Sequence, residues 1–335
     1  MGSILTEPVS GPVVWRAEDL ERDESWKVVL SSEHLRELDR ALREVQSKGL
    51  ALHDIRRNDF RLDSLAKVLT EVGEDLQHGR GLKLIRGLPV DRYSEEELAV
   101  LYWGIGAHLG IAVSQNSKGD LLGHVRDEGA TLSNLQARGY QTRESQGLHI
   151  DNCDVVGLLC LRAARTGGVS QVVSSMAIYN EMLRRHPWYV GVLYERWAID
   201  MRGQERPGDS PVWYRPIYSY YDGLLSCGVN FTYMRSAEAK TGVPLGQIRT
   251  EALEAMEKIA YELCFEMEFE TGDMQFLNNY VILHDRTPYV DWDEPEKKRH
   301  LLRLWLSVPG ARRLAPDFKS AYAQTLRTYE TAPRS

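Results

Sequence analysis

Apolar residues recur at helical spacing in two stretches of the first third of the chain, and a start signal marks a third helix. Leu35, Leu38, Leu42 and Val45 share one face of a segment that follows Ser31-Ser32, covers 33–48 and stops at Gly49. Leu65, Val68, Leu69 and Val72 do the same over about 62–76, and Ser94-Glu95-Glu96-Glu97 opens a third helix running to about His108, before Gly110. None of the three carries a reactive constellation, so they read as packing helices. Residues 82–87 form an apolar run ended by Gly87, a buried strand. The first thirty residues are polar, hold Pro8 and Pro12, and read as an arm or an early strand.

Beyond Gly110 the texture changes to short apolar or β-branched runs separated by turn residues. Residues 115–129 are polar and glycine-rich; 149–151, 155–161 and 170–174 read as short strands. A helical piece covers 176–185. Aromatic runs at 212–221 and 224–229 meet across Asp222-Gly223, a hairpin signal. An amphipathic helix at 249–263 precedes the Gly272-Asp273 turn, a strand leading to His284, and a strong strand at 300–308. There is no internal repeat or low-complexity linker. Many short strands with peripheral helices predict a mixed α/β chain built on one all-β core, barrel-like or sandwich-like. We divide a single 1–335 domain into an arm with packing helices (1–80), a core with inserted helices and lid (81–310) and a polar tail (311–335).

Composition narrows the partners. Hydrophobic content of 43%, with eight Trp and sixteen Tyr, is enough for a substantial core. The net charge of −7, from 41 basic and 48 acidic residues, excludes a general nucleic-acid or anionic-membrane role, so any basic residues that matter act locally. The four cysteines form no C-x-x-C, the N-terminus lacks the regions of a signal peptide, and no apolar run is long enough to span a membrane. Reduced thiols, a cytoplasmic location and a small-molecule partner are expected; a homo-oligomer is compatible with this pattern but not specified by it.

Candidate chemistry begins at Gly147-Leu148-His149-Ile150-Asp151. Side chains two apart on an extended strand point to one face, so His149 and Asp151 can grip one ion. A hydrogen-bonded strand histidine gives the same local pattern, so the motif needs a distant answer. Candidates for a third ligand are His284, His300, His186, His108 and His124. His186, beside Pro187 at a helix end, reads as a C-terminal cap, and the direction of His300 is open. His284 ends an apolar strand and sits at a strand's mouth, so it is the choice. Two imidazoles and one carboxylate leave three corners of an octahedron open, the non-haem Fe(II) oxygenase arrangement. Arg299 and Arg303, four apart in a strand-like segment, share a face, and a guanidinium suits a dicarboxylate's distal carboxylate. Thr166-Gly167-Gly168-Val169-Ser170 lacks the lysine and helix of a phosphate loop; as a tight turn it would bring the hydroxyl of Ser170 or Thr166 near a carboxylate. Cys153 lies two beyond Asp151 and is read as packing.

Taken in order, His149-Ile150-Asp151, Gly167–Ser170, Gly272-Asp273, Asn278-Asn279, His284–Pro288 and Arg299–Trp305 resemble the taurine dioxygenase (TauD/TfdA-like) family of Fe(II)/2-oxoglutarate dioxygenases and its clavaminate-synthase-like relatives. The likeness covers roughly residues 80–310. It implies a double-stranded β-helix (jelly-roll, cupin-like) core and Fe(II) held by His149, Asp151 and His284. It carries Arg299 over as partner of the 2-oxoglutarate C5 carboxylate, Ser170 as its hydroxyl partner, and Arg303 as a second arginine for cosubstrate or a substrate acid group. The implied reaction uses O2 and 2-oxoglutarate to oxidise an unactivated C–H bond, giving succinate and CO2. A carboxylate at Asp151 argues against halogenation, which needs that corner for halide. Gln115, Ser145, Arg286, Arg303 and the aromatics from Trp213 to Tyr221 are candidates to line a pocket for a small polar, carboxylate or amino-acid-like metabolite. A zinc hydrolase would use the same three ligands but lacks a separate general base here, and a non-enzymatic jelly-roll binding protein is the remaining alternative.

Overall fold

The computed structural model describes residues 3–205, 208–310 and 312–318. The two amphipathic stretches form helices Ser32–Ser47 and Ser64–His78, and the third start signal opens the helix Glu95–Leu109, buried all round from Leu101 to Gly106. Ser31 and Ser94 cap the first and third by accepting the N–H of His34 and Glu97, each at 3.2 Å. The middle helix is capped from outside, because Asp63 makes no cap bond of its own. The buried carboxylate of Glu37 instead accepts the N–H groups of Asp63, Ser64 and Leu65 at 2.9, 2.9 and 3.1 Å, and the Ser64 hydroxyl at 2.6 Å.

These helices pack on one face of a seven-stranded sheet. Its order is Lys27–Val29, Leu82–Arg86, Met274–Asn278, Val155–Arg162, His300–Ser307 and Ile111–Ala112, with Leu122–Val125 also paired to His300–Ser307. Lys27–Val29 runs parallel to Leu82–Arg86, and the other pairs are antiparallel. Strand alternation sorts the side chains of the last strand. Leu302, Leu304 and Leu306 join the helices in one apolar cluster, whereas Trp305 belongs to a second cluster on the inner face. The second sheet pairs Phe265–Met267, Ser170–Ser174 and Ile282–Arg286, all antiparallel. Single bridges from His149 to both His284 and Asn230 widen it. Leu148, Ile150, Val156, Val172, Leu283 and Trp305 share the inner cluster between the two sheets. This is the double-stranded β-helix that the family resemblance implied.

Several elements depart from the expectation. The aromatic run 212–221 is not one strand of a hairpin. Tyr218–Tyr221 does pair with Leu224–Cys227 across Asp222-Gly223, whose positive φ angles (52° and 77°) suit a tight turn, but Val212–Pro216 pairs with Arg196–Asp200. Pro216 has no N–H to continue a ladder, and the chain changes partners there. The helices Ala17–Arg22, Pro187–Leu193 and Phe231–Thr241 carried no clear sequence signal. The polar stretch 115–129 contains the strand Leu122–Val125. Of residues 311–335, expected as a polar tail, 312–318 are described and pack inward: Ala315 and Phe318 are buried, and the Arg312 guanidinium donates to Leu225 O at 2.7 Å. The remainder lies outside the described residues.

The Glu37 cap generates a pH prediction. Burial alone pushes its carboxyl up, but the four hydrogen bonds outweigh that and hold it at about 2, against an ordinary 4.5. A carboxyl lowered on folding contributes stability that is full above the unfolded value and lost as pH falls through the folded one. Glu37→Gln should therefore cost roughly 1–3 kcal/mol at neutral pH. The deficit relative to wild type should shrink steadily below pH 4.5, as wild-type Glu37 is protonated in turn. Urea unfolding of both proteins at pH 7 and pH 3 measures it.

Candidate metal centre

The chain enters the centre through Gly147, whose φ of +82° turns the backbone into an extended run. Leu148 and Ile150 bury into the core, so alternation aims His149 the other way. The segment is not a full strand. Instead His149 and His284 exchange both backbone hydrogen bonds, at 3.0 and 2.8 Å, and Ile150 N–H reaches Val229 O at 3.1 Å. That pairing sets the two imidazoles side by side, ring centres 4.5 Å apart and planes tilted by 44°. Asp151 then crosses to the other sheet. Its N–H donates to Asn279 Oδ1 at 3.0 Å, and its Oδ2 accepts the Trp305 indole N–H at 2.8 Å. His284 Nε2 lies 3.9 Å from Asp151 Oδ2, and one ligand atom from each of His149, Asp151 and His284 falls within 4.8 Å of the others. All three residues are buried.

The protonation states suit a cation. Burial and the neighbouring His149 push His284 down to about 3, so its imidazole is neutral. His149 Nδ1 sits 2.8 Å from Gly147 O, which can only accept, so Nδ1–H is the donor and Nε2 the candidate ligand atom. Burial opposes ionisation of Asp151, but Arg303 and the two histidines outweigh it and lower the carboxyl. Two imidazoles and a carboxylate, converging in a buried cavity, match the donor set of a ferrous ion.

Arg299 lines the same cavity with Ser170, Gln275, Arg303, Leu158 and Leu301. Its guanidinium lies over the Tyr289 ring at 5.0 Å, burial lowers its pKa, and its Nη1 has no hydrogen-bond partner. Gly168 makes room for it: a Cβ there would sit 3.2 Å from Arg299 Nε. Ser170 Oγ donates to Gln275 Oε1 at 3.0 Å, while Gln275 Nε2 also has no partner. Arg303 is placed differently. Its Nη1 is 3.6 Å from Asp151 Oδ2, its Nε donates to Gln115 Oε1 at 2.8 Å, and it stacks over Tyr140 and Trp305.

The other sequence candidates divide. Arg286 lines the cavity, but its guanidinium also donates to the carbonyls of Thr142, Arg143 and Thr287. Ser145 donates to Asp285 Oδ2, and the N–H groups of Gln146 and Gly147 also reach Asp285, pinning residues 145–147 to the His284 strand. Gln115 braces Arg303 from beneath, also donating to Arg303 O at 2.8 Å. Thr166 is exposed on a short strand paired with Val290, because the turn at Gly167-Gly168 brings only Ser170 inward. Of the aromatics from Trp213 to Tyr221, Trp213 lines the neighbouring chamber, whereas Tyr214 and Tyr221 are exposed. The remaining candidate histidines are engaged elsewhere. His108 meets Phe60 O at 2.8 Å, His124 and His300 pair at 2.8 Å, and His186 ends the helix Ser175–Arg185. Cys153 is buried with Asn279 Nδ2 3.0 Å from its sulfur. Gln275, Asp285, Tyr140 and Arg215 went unmarked in the sequence. Trp305 was within reach of alternation from Arg303; the others had no local signal.

A family model described as Taurine catabolism dioxygenase TauD, TfdA family matches residues 46–305. Among curated proteins, FR-33289 synthase from Streptomyces rubellomurinus (strain ATCC 31215) is 36% identical over 318 residues, 93% of this chain and 94% of the relative. Taurine hydroxylase-like protein SAT17 from Stachybotrys chartarum (strain CBS 109288 / IBT 7711) is 30% identical over 328 residues, covering 91% and 83%. Among solved structures, asparagine oxygenase in complex with Fe(II), 2S,3S-3-hydroxyasparagine and succinate aligns with a TM-score of 0.67 at 18% identity, over 84% of this chain and 93% of that one. The non-heme iron oxygenase OrfP in complex with Fe, succinate and (3S)-hydroxy-L-Arg aligns at 0.64 and 16%, over 84% and 94%. The model match runs through every landmark from the HxD segment to Trp305, and so the chain belongs to the taurine catabolism dioxygenase TauD, TfdA family.

Proposed function

We propose that this protein is an Fe(II)/2-oxoglutarate-dependent oxygenase that oxidises an unactivated C–H bond of a small polar metabolite, acidic or amino-acid-like. One observation carries the reading. A buried His149–Asp151–His284 set shares its cavity with Arg299, whose Nη1 has no protein partner. A buried donor left unmade is costly, and a dicarboxylate would satisfy it. The solved neighbours that hold iron with succinate or alpha-ketoglutaric acid support the same cosubstrate, and their hydroxyasparagine and hydroxyarginine complexes support an amino-acid-like substrate.

Bound by the three ligands, ferrous iron supplies the redox chemistry that couples 2-oxoglutarate decarboxylation to C–H oxidation by O2. The chain's own residues do the positioning. Asp151 stays ionised and fixed because Trp305 donates to its Oδ2, Arg303 stands beside it, and Asn279 holds its backbone. Gly147 O fixes the His149 tautomer. Arg299, with Ser170 and Gln275, is placed to take the C5 carboxylate of 2-oxoglutarate, while Arg303 is committed beside Asp151 and is better placed for a substrate acid group. Val125, Leu158, Phe269 and Leu301 give that cavity its apolar wall and exclude water. Free cysteines support a cytoplasmic setting, and no described helix is long and apolar enough to cross a membrane. Likeness to a Streptomyces synthase supports a place in secondary metabolism.

Anaerobic Fe(II) followed by 2-oxoglutarate should produce a weak visible charge-transfer band in wild type. His284→Ala should abolish the band, and Arg299→Ala should raise the 2-oxoglutarate needed for half-saturation by about 10–100-fold. No band in folded, iron-loaded wild type would sink the reading. Chelation should stop succinate release from 2-oxoglutarate, with activity returning on Fe(II) and not on Zn(II); recovery on zinc would instead favour hydrolysis.

A further inference from the structure

A second chamber adjoins the metal cavity. Both are lined by Asp151, Arg303 and Tyr140, but Arg299 belongs to the metal cavity alone and Arg215 to the second chamber alone. Arg215 lies on the strand Val212–Pro216 and is only 3% exposed. Its Nε donates to Gly228 O at 2.8 Å, and its guanidinium lies over the rings of Trp213 and Phe318 at 4.8 and 5.5 Å. Gly228 is required for this approach, since a Cβ there would sit 2.6 Å from Nε and 2.8 Å from Cζ.

What Arg215 lacks is a counter-ion. Among the described residues it forms no ion pair, and neither Nη group has a hydrogen-bond partner. The chamber's two carboxylates are taken. Asp200 pairs with Arg202 at 3.3 Å and Lys240 at 3.5 Å, and Asp151 belongs to the metal set. Burial drags the guanidinium down to about 10, which still leaves it charged at neutral pH. Aromatic faces and one carbonyl offset part of the cost of such a charge, and an incoming anion would offset the rest.

We propose that Arg215 anchors an anion subsite for the substrate, holding an oxyanion group at the end of the chamber while the C–H bond to be oxidised is presented at Asp151. The assignment rests on the oxygenase reading above and adds a specificity-determining residue to it. A planar guanidinium with two free Nη groups takes a carboxylate or a tetrahedral oxyanion such as a sulfate or phosphate group through paired N–H bonds.

The test titrates iron-free protein with sodium acetate, sulfate and phosphate while following tryptophan fluorescence, because Trp213 lies against Arg215. It uses the Arg299→Gln background, which removes the cosubstrate's own anion partner. At least one anion should bind that variant, about tenfold or more weakly once Arg215→Gln is added, with part of the affinity restored by Arg215→Lys. Preference for acetate assigns a carboxylate, and preference for sulfate or phosphate a tetrahedral group. If Arg215→Gln fails to fold, Arg215→Met keeps bulk between the two rings and serves in its place. Equal binding with and without Arg215, or no anion binding at all, would overturn the subsite. The iron and 2-oxoglutarate band of Arg215→Gln should match wild type, so absence of that band in wild type marks failure of the oxygenase reading rather than of this one.

Discussion

Two backbone hydrogen bonds between His149 and His284 hold this site together. They join segments far apart in the chain into adjacent extended runs, and every other feature of the centre is registered against that pair. The exchange places the imidazoles side by side, and the next alternate residue, Asp151, swings toward the facing sheet and meets Trp305 and Asn279. The ligand set thus spans both layers of the double-stranded β-helix. A slip of one residue in either segment would turn a ligand into the core and a core residue into the cavity.

Around that pair the protein has gathered more positive charge than it neutralises. Arg299, Arg303 and Arg215 are all buried, and each lies over at least one aromatic ring: Tyr289, then Tyr140 with Trp305, then Trp213 with Phe318. Of the three guanidinium groups, only that of Arg303 forms an ion pair among the described residues. Such an arrangement opposes folding, because a buried charge without its partner is expensive. The surrounding cores must carry it, and the packed helices behind the main sheet, with their external Glu37 cap, contribute to that reserve. The excess is a preorganised field for anionic small molecules, which the chain's overall negative charge conceals.

Much of this was legible in the residues. Helical periodicity located the first two packing helices to within a few residues, since each has an apolar stripe, and the Ser94 start signal located the third. The order of HxD, glycine turn, distal histidine and basic strand pointed to the centre, and alternation on the last strand put Arg299 and Arg303 on one face, but only the fold turned that face, with Leu301, toward the cavity. What failed to show were partners chosen across space. Val212–Pro216 reads like the start of a hairpin, yet it pairs backward with Arg196–Asp200, because strand pairing depends on edges that a local pattern does not reveal. Thr166 and Ser170 read as equivalent hydroxyls, and only the two left-handed glycines between them decide which one faces in.

Along the sequence, periodicity determined a β core with peripheral helices, and the ordered landmarks carried the resemblance that implied the family, the jelly-roll class and the ligand set, because such landmarks are residue chemistry at short fixed spacings. Tertiary structure alone decided that Gln115 braces Arg303 and that Ser145 ties its segment to Asp285. It also decided that Arg215, buried in an aromatic run with nothing nearby in sequence to mark it, reaches the chamber beside Asp151 without a counter-ion among the described residues. Whether a charge is compensated depends on every group that folding brings within a few ångströms, and no window along the chain contains that information.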